Sequence, residues 1–124
     1  MILTKSAAAA AALLCLAVAA GPSPAQDWPT RPIRIVVGFG AGGGTDIATR
    51  IIAEPLGELL GQRIVVENKP GAGGSLAADS VAKSDPDGHS AVMITAAHTT
   101  TAVMLKSLPY DPLKDFAPVG MVMT

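Results

Sequence analysis

Short runs of β-branched, apolar residues recur along the chain and predict strands. The first run, Ile33–Val37, follows a proline and ends at Gly38, which is typical of a short strand buried on both faces. Similar runs at residues 63–67 and 91–96 predict a second and a third strand, and residues 117–124 predict a fourth.

Between Thr45 and Gly61 the apolar positions instead recur every three or four residues, which predicts an amphipathic helix. Thr45 is a candidate N-cap, and Gly61 is a candidate helix end. Residues 75–83 and 99–106 predict two further helices, and the "DPDG" segment at residues 85–88 predicts a turn. Alternating strands and helices predict an α/β fold with a parallel sheet. The apolar positions of the first helix are Ile47, Ile51, Ile52, Leu56, Leu59 and Leu60.

The first 25 residues read as a cleavable signal peptide. A lysine near the start precedes a short stretch rich in alanine and leucine, and the small residues at 23–25 favour cleavage after Ala25. We therefore exclude residues 1–25 from the fold and expect residues 26–124 to be exported to a bacterial periplasm. Leu14 before Cys15 argues against processing as a lipoprotein.

The charge balance and the cysteine content exclude some partners and metal sites. Without Lys5, eight basic residues face ten acidic ones, so nothing indicates a nucleic-acid partner. Residues 26–124 contain no cysteine, which excludes a disulfide or a thiolate metal site there. We predict no metal and no cofactor.

Two glycine-rich loops carry the candidate chemistry. "GFGAGGGTD" at residues 38–46 follows the first predicted strand, and "PGAGG" at residues 70–74 follows the second. Each loop precedes a predicted helix, whose first amides have no partner within the helix and attract anions. The carboxyl ends of parallel strands lie at one edge of the sheet, so both loops should line one crevice that binds a carboxylate or a phosphate.

A second interpretation is a dinucleotide-binding enzyme. Gly38, Gly40 and Gly43 fit G-x-G-x-x-G between a strand and a helix, and Glu67 ends the next strand as a ribose-binding acid would. The spacing to Glu67 is long, however, and an exported protein has little access to nicotinamide cofactors. A Rossmann-type nucleotide-binding oxidoreductase therefore stays as the alternative, beside a truncated reading frame without activity.

Four separated segments resemble one known family. "WPTRPIRIVVGFGAGGGTDI", "GQRIVVENKPGAGGS", "DPDG" and "LPYDPLKDFAPV" are similar, in this order, to the N-terminal part of the Bug family of periplasmic solute-binding proteins. The resemblance runs from Trp28 nearly to Thr124. Prolines are common in the family where Gly38 and Gly40 stand, and Asn and Gly are frequent at the positions of Ser75 and Ala77.

The resemblance implies a truncated type II periplasmic-binding-protein (Venus flytrap) fold, in which residues 26–124 form part of the first lobe and the second lobe is absent. It also implies a non-enzymatic, monomeric receptor that passes small carboxylates such as citrate, amino-acid dicarboxylates or aromatic acids to two integral membrane subunits of a tripartite tricarboxylate transporter. The implied ligand-binding residues of the two loops are Ala41, Gly42, Gly43, Gly44, Thr45, Asp46, Gly71, Ala72, Gly73 and Gly74.

Several single residues have two interpretations. Asp46 either complements the positive end of the helix or helps to bind the ligand through a water, a hydroxyl or an ammonium group. Thr45 and Ser75 are helix caps, ligand contacts or both. Thr95 and His98 follow the third strand and complete the predicted ligand-binding set.

The remaining side chains of interest are assigned to packing and the surface. We expect Trp28 and Tyr110 to fill the edges of the core, and Glu67 to pair with Lys69 or with solvent. No chemistry is assigned to His89.

Overall fold

A three-stranded parallel sheet forms the centre of the protein. The computed structural model describes residues 27–105 and 107–122, so the predicted signal peptide lies outside the described residues. The strands are β1 (Ile33–Val37), β2 (Ile64–Asn68) and β3 (Ser90–Met93), in the spatial order β2-β1-β3. The predicted parallel α/β architecture is therefore confirmed.

Strand β1 is the most buried element because it has a strand on each side. Ile35 pairs with Val66 of β2 and with Ala91 of β3, and Val36 and Val37 are fully buried. β-branched side chains suit such a position, since they pack well on a pleated surface. The predicted bounds of β1 agree with the structure, and those of β2 are shifted by one residue. Strand β3 ends at Met93 rather than at residue 96 because the next helix begins there.

Helix α1 (Gly44–Leu60) connects β1 to β2. Its N-cap is Gly43, and no side chain caps it, so the prediction of Thr45 as the N-cap is wrong. Thr45 is the second residue of the helix and already has helical backbone geometry, which an N-cap does not have. The helix ends as predicted at Gly61, whose φ of 65° is a left-handed conformation that glycine adopts without steric cost.

The buried side of α1 differs from the predicted one. Asp46 and Thr49 are buried, whereas Ile51 and Leu59 are 67% and 84% exposed. A Cβ at Gly57 would lie 3.5 Å from Ile64 of β2, which places this glycine against the sheet. The most buried residues of the helix are thus small or polar, while Ile52, Leu56 and Leu60 of the predicted apolar positions are half-buried.

Two short helices complete the fold. A 3-10 turn (Ala72–Gly74) leads into α2 (Ser75–Ala82), and α3 (Ala96–Met104) follows β3. The N-cap of α2 is Gly74, so the prediction that Ser75 caps this helix is wrong. Helix α3 begins three residues before the predicted start because the Thr95 side chain caps it by accepting the Ala97 N–H at 3.3 Å.

The predicted fourth strand is wrong for residues 117–122. In the described part of the chain these residues pair with none of the three strands, and Val119 is 97% exposed. An apolar run becomes a strand only where a neighbouring strand offers hydrogen-bond partners. Residues 123 and 124 lie outside the described residues.

Three side chains at the periphery test the other packing predictions. Tyr110 is buried, as predicted, whereas Trp28 is half exposed and packs on the turn at Gly88. Glu67 pairs with Arg34 at 3.2 Å, and the predicted pair with Lys69 is wrong. The register explains this result, since it brings Arg34 of β1 diagonally opposite Glu67 on β2.

None of the helices within residues 27–105 and 107–122 combines the length and the apolar character needed to cross a membrane.

Candidate functional site

The segments that follow the three strands meet at one edge of the sheet. Loop one (residues 38–43) follows β1, loop two (residues 69–74) follows β2, and Thr95 follows β3. Strand β1 lies between β2 and β3, so the connection that runs from β2 through loop two and α2 to β3 must pass over β1. A Cβ at Gly38 would lie only 2.6 Å from the Gly74 Cα, so the two loops touch there without side chains.

Loop one leaves several amides at the start of α1 without a partner. Among the described residues, the N–H groups of Gly44, Thr45 and Asp46 have no hydrogen-bond acceptor. The Gly42 N–H donates to the Asp46 carboxylate at 2.8 Å, and the Gly43 N–H donates to the Gly40 carbonyl at 3.2 Å. A short turn therefore uses the Gly42 and Gly43 N–H groups, and the assignment of both residues to the ligand site stays a prediction.

Asp46 is the centre of a hydrogen-bonded network beneath loop one. Besides the Gly42 N–H, its carboxylate accepts from Arg50 Nε at 3.0 Å and from Asn68 Nδ2 at 2.9 Å. Asn68 also donates to the Phe39 carbonyl at 3.1 Å and accepts from Arg50 at 3.0 Å. The network thus ties loop one to the end of β2 and to the first turns of α1.

The environment of Asp46 keeps its carboxylate ionised. Hydrogen bonds from Arg50, the Gly42 N–H and Asn68 lower its pKa from 3.8 to about 2, although burial opposes this shift. The side chain is almost fully buried, and its oxygens are occupied by protein donors. Of the two interpretations of Asp46, the structure therefore provides partners for the structural one.

Arg50 and Asn68 were missed by the sequence analysis. Arg50 lies four residues after Asp46, a spacing that favours an ion pair on a helix and could have been recognised. Asn68 could not be found from local spacing, because it reaches loop one only through the pairing of Val37 with Asn68 between β1 and β2.

Loop two has an unusual backbone. Gly71, Gly73 and Gly74 all have positive φ, and Ala72 between them has a φ of 46°, which is rare for a residue with a side chain. The Gly74 N–H donates to the Gly71 carbonyl at 3.0 Å, and the assignment of Gly74 to the ligand site stays a prediction. In the described part of the chain, the N–H groups of Ala72 and Gly73 have no acceptor. Gly73 packs on Thr101 of α3, so this helix supports loop two.

Thr95 lies at the predicted edge of the sheet, whereas the described contacts of His98 are elsewhere. The Thr95 hydroxyl caps α3, which it begins at the same edge as the two loops. The His98 ring is buried, stacks on Tyr110 with centroids 5.7 Å apart and meets Phe116 edge-on. Burial lowers its pKa. The described contacts of the His98 ring are thus with this aromatic cluster and with neither glycine loop.

A second polar cluster, away from the glycine loops, fastens the N-terminal segment to the turn at residues 85–88. Asp87 accepts from the His89 N–H at 3.0 Å and from Arg31 at 2.5 Å, and these bonds lower its pKa from 3.8 to about 2. The buried His89 ring accepts the Thr30 N–H at 3.3 Å, and Trp28 meets it edge-on. His89 therefore has a structural role that the sequence analysis did not assign.

Metal-ligand clusters and grooves within residues 27–105 and 107–122 would be alternative candidate sites. No group of three or more metal-ligating side chains occurs there. A shallow groove of about 680 Å³ runs between α1 and β2, past Glu58 and Gln62, and a second of about 520 Å³ lies beside Tyr110. Neither groove includes the unpaired amides, which instead lie on an open edge.

Comparisons with known proteins agree with this geometry. The sequence profile of the tripartite tricarboxylate transporter family receptor, TctC, matches residues 48–124. Protein BugT of Bordetella pertussis is 38% identical over 125 residues, which cover 98% of this chain and 38% of that protein. The chain belongs to the TctC receptor family. The predicted resemblance to Bug proteins is confirmed.

Solved structures of similar sequence show the same fold. MatC from Rhodopseudomonas palustris with bound malate is 42% identical, with a TM-score of 0.69 over 74% of this chain and 32% of that one. An R. palustris protein with adipate is 45% identical, with a TM-score of 0.51 over 52% of this chain and 22% of that one. The described residues thus have the fold of part of a periplasmic binding protein. The chain spans about a third of the length of the curated relatives it matches.

Proposed function

We propose that this chain forms the carboxylate-binding part of a periplasmic receptor that serves a tripartite tricarboxylate transporter. One observation carries the proposal: the N–H groups of Gly44, Thr45 and Asp46 have no acceptor in the described residues, and they start a helix beside loop two. Unpaired amides at the start of a helix favour an anion, both as donors and through the helix dipole. The unpaired N–H groups of Ala72 and Gly73 supply donors from the second loop.

The charge on Asp46 does not oppose this proposal. A bare carboxylate beside a bound carboxylate would repel it, but the ion pair with Arg50 and the bond from Asn68 compensate the Asp46 charge. Both oxygens of Asp46 also point to protein donors. The network therefore holds loop one in place and leaves the helix amides as the groups that meet the ligand.

Two solved structures of similar sequence support dicarboxylates as the ligand class. One neighbouring structure holds malate and another holds adipate, and both are dicarboxylates. Each of these two ligands has a terminal carboxylate, which the unpaired amides beside the two loops can bind. We propose that this edge takes one carboxylate, and that the rest of the ligand is recognised by parts that the longer relatives possess.

The wider setting is proposed at the same level. The predicted signal peptide and the periplasmic relatives support export to the periplasm, where a monomeric receptor passes its ligand to integral membrane subunits. The receptor needs no metal and no cofactor, because amide hydrogen bonds are sufficient to hold a carboxylate. We propose no catalytic step, since the relatives are receptors.

A substitution at Gly44 tests the role of the amides directly. Proline at the first helical position removes one N–H and is tolerated there, and Gly43 before it has the extended backbone that proline requires. A Cβ at Gly44 would meet nothing within 4 Å. Gly44→Pro and its control Gly44→Ala should therefore both fold, but only Gly44→Ala keeps the amide.

Titration calorimetry with malate and adipate provides the measurement. Losing one hydrogen bond to a charged ligand costs about 1.5–3 kcal/mol, so Gly44→Pro should bind at least tenfold more weakly than Gly44→Ala. Equal affinities of the two variants would show that the Gly44 amide does not contact the ligand. If the unmodified chain is folded and binds neither acid, the proposed function is wrong.

A further inference from the structure

The hydroxyl of Ser75 is a buried polar group without a partner. Ser75 is the first residue of α2 and is 5% exposed, and its Oγ makes no hydrogen bond with any described residue. Buried hydroxyls are nearly always hydrogen-bonded, because leaving one unpaired loses its bonds with water. This group therefore requires a partner that the described residues do not supply.

Ser75 lies where the two glycine loops meet. It directly follows Gly74, whose Cα is the atom that a Cβ on Gly38 would meet. Side chains on a helix tilt toward its N-terminus, so the Ser75 hydroxyl is directed back toward the edge of the sheet. Ala78, one turn later, is completely buried, which places this side of α2 against the sheet.

The usual local explanation for a serine at this position does not apply. A serine at the N-cap would bind an amide of its own helix, but the N-cap of α2 is Gly74. Two other hydroxyls of helical residues, or residues just after a helix, do have local partners. Thr49 donates to the Thr45 carbonyl at 2.6 Å, and Ser84 donates to the Val81 carbonyl at 2.6 Å.

We infer that the Ser75 hydroxyl donates a hydrogen bond to the bound carboxylate, which makes Ser75 a further ligand-binding residue of the receptor. The inference rests on the proposed function and adds a side-chain donor to the backbone amides. A hydroxyl suits this task because it can rotate its proton toward a carboxylate oxygen, and hydrogen bonds to a charged acceptor are among the stronger ones.

The test compares Ser75→Ala with Ser84→Ala in the 124-residue chain. Both variants lose one hydroxyl, but only Ser75 has an unpaired one, so Ser84→Ala is the matched control. Calorimetric titration with malate and with adipate should show binding weakened about tenfold or more in Ser75→Ala and unchanged in Ser84→Ala. Without ligand, Ser75→Ala should melt at the same temperature as the unmodified chain or slightly higher, because an unpaired polar group has been removed.

Three outcomes separate the inference from the function. Absence of binding by the unmodified, folded chain overturns both. Binding by the unmodified chain and equal binding by Ser75→Ala overturns the inference alone. A melting temperature that falls in Ser75→Ala without ligand shows a structural role and also overturns it. If Ser75→Ala does not fold, Ser75→Cys replaces it, since its thiol has a similar shape and is a weaker donor, and weaker binding at unchanged stability is again expected.

Discussion

The contact between Gly38 and Gly74 should make Gly38→Ala strongly destabilising. The added Cβ would lie 2.6 Å from the Gly74 Cα, whereas ordinary contacts begin at 3.4 Å, so one backbone must move by about 0.8 Å. The atoms that it meets belong to the backbone of loop two and cannot rotate away. The same movement would separate the two loops and with them the two sets of unpaired amides.

The size of the effect follows from the nature of the contact. Overpacking a well-packed site costs about 1–3 kcal/mol, and a backbone neighbour places Gly38→Ala at the upper end of this range. For a domain of this size that loss lowers the melting temperature by roughly 10–20 °C. Gly40→Ala is the matched control, because a Cβ there meets nothing within 4 Å and the backbone has no positive φ.

Urea denaturation followed by circular dichroism measures the difference. Gly38→Ala should shift the midpoint to lower urea with an unchanged slope, whereas Gly40→Ala should leave it unchanged or raise it, since alanine restricts the unfolded chain. Equal midpoints for the two variants would refute the close approach of the loops. Malate binding should be lost in Gly38→Ala and kept in Gly40→Ala.

Three further predictions concern the supports of the site. Asp46→Asn should speed hydrogen exchange of the Gly42 amide, measured by NMR, because the neutral side chain holds that amide less firmly; unchanged protection would argue against the network. The pKa values of Asp46 and Asp87 are lowered to about 2 in the folded state, so their stabilising effect is present above about pH 4 and is lost as the pH falls toward 2; a melting temperature that stays constant between pH 5 and 2 would contradict this. Gly73→Ala should be destabilising because the new Cβ would overlap the Thr101 hydroxyl and φ is positive, and Thr101→Ala should recover part of the loss in the double variant, measured by denaturation. If the double variant recovers no stability, the Thr101 side chain does not contact residue 73.

Local patterns in the sequence were sufficient for the architecture. The run Ile33–Val37 is a strand with the predicted bounds, and Gly61 ends α1 as predicted, because both features have a recognisable pattern among neighbouring residues. The sequence also predicted correctly that each glycine loop follows a strand of a parallel sheet. Where the chain has no sheet edge beside it, as at residues 117–122, an apolar run was not sufficient to make a strand.

Tertiary contacts decided the remaining details. The burial of Asp46 rather than Ile51 depends on which side of α1 meets the sheet, and the role of Asn68 depends on the register between β1 and β2. The use of the Gly42 amide by Asp46, and the stacking of His98 on Tyr110, likewise require three-dimensional proximity. None of these could be derived from spacing along the chain.

An NMR titration of the 124-residue chain with malate tests the central claim most directly. If the unpaired amides of both loops bind one carboxylate, the signals of Gly44, Thr45, Ala72 and Gly73 should shift together along one saturation curve, while that of Gly88 stays in place. Shifts confined to one loop, or a folded chain whose signals do not move, would contradict the claim.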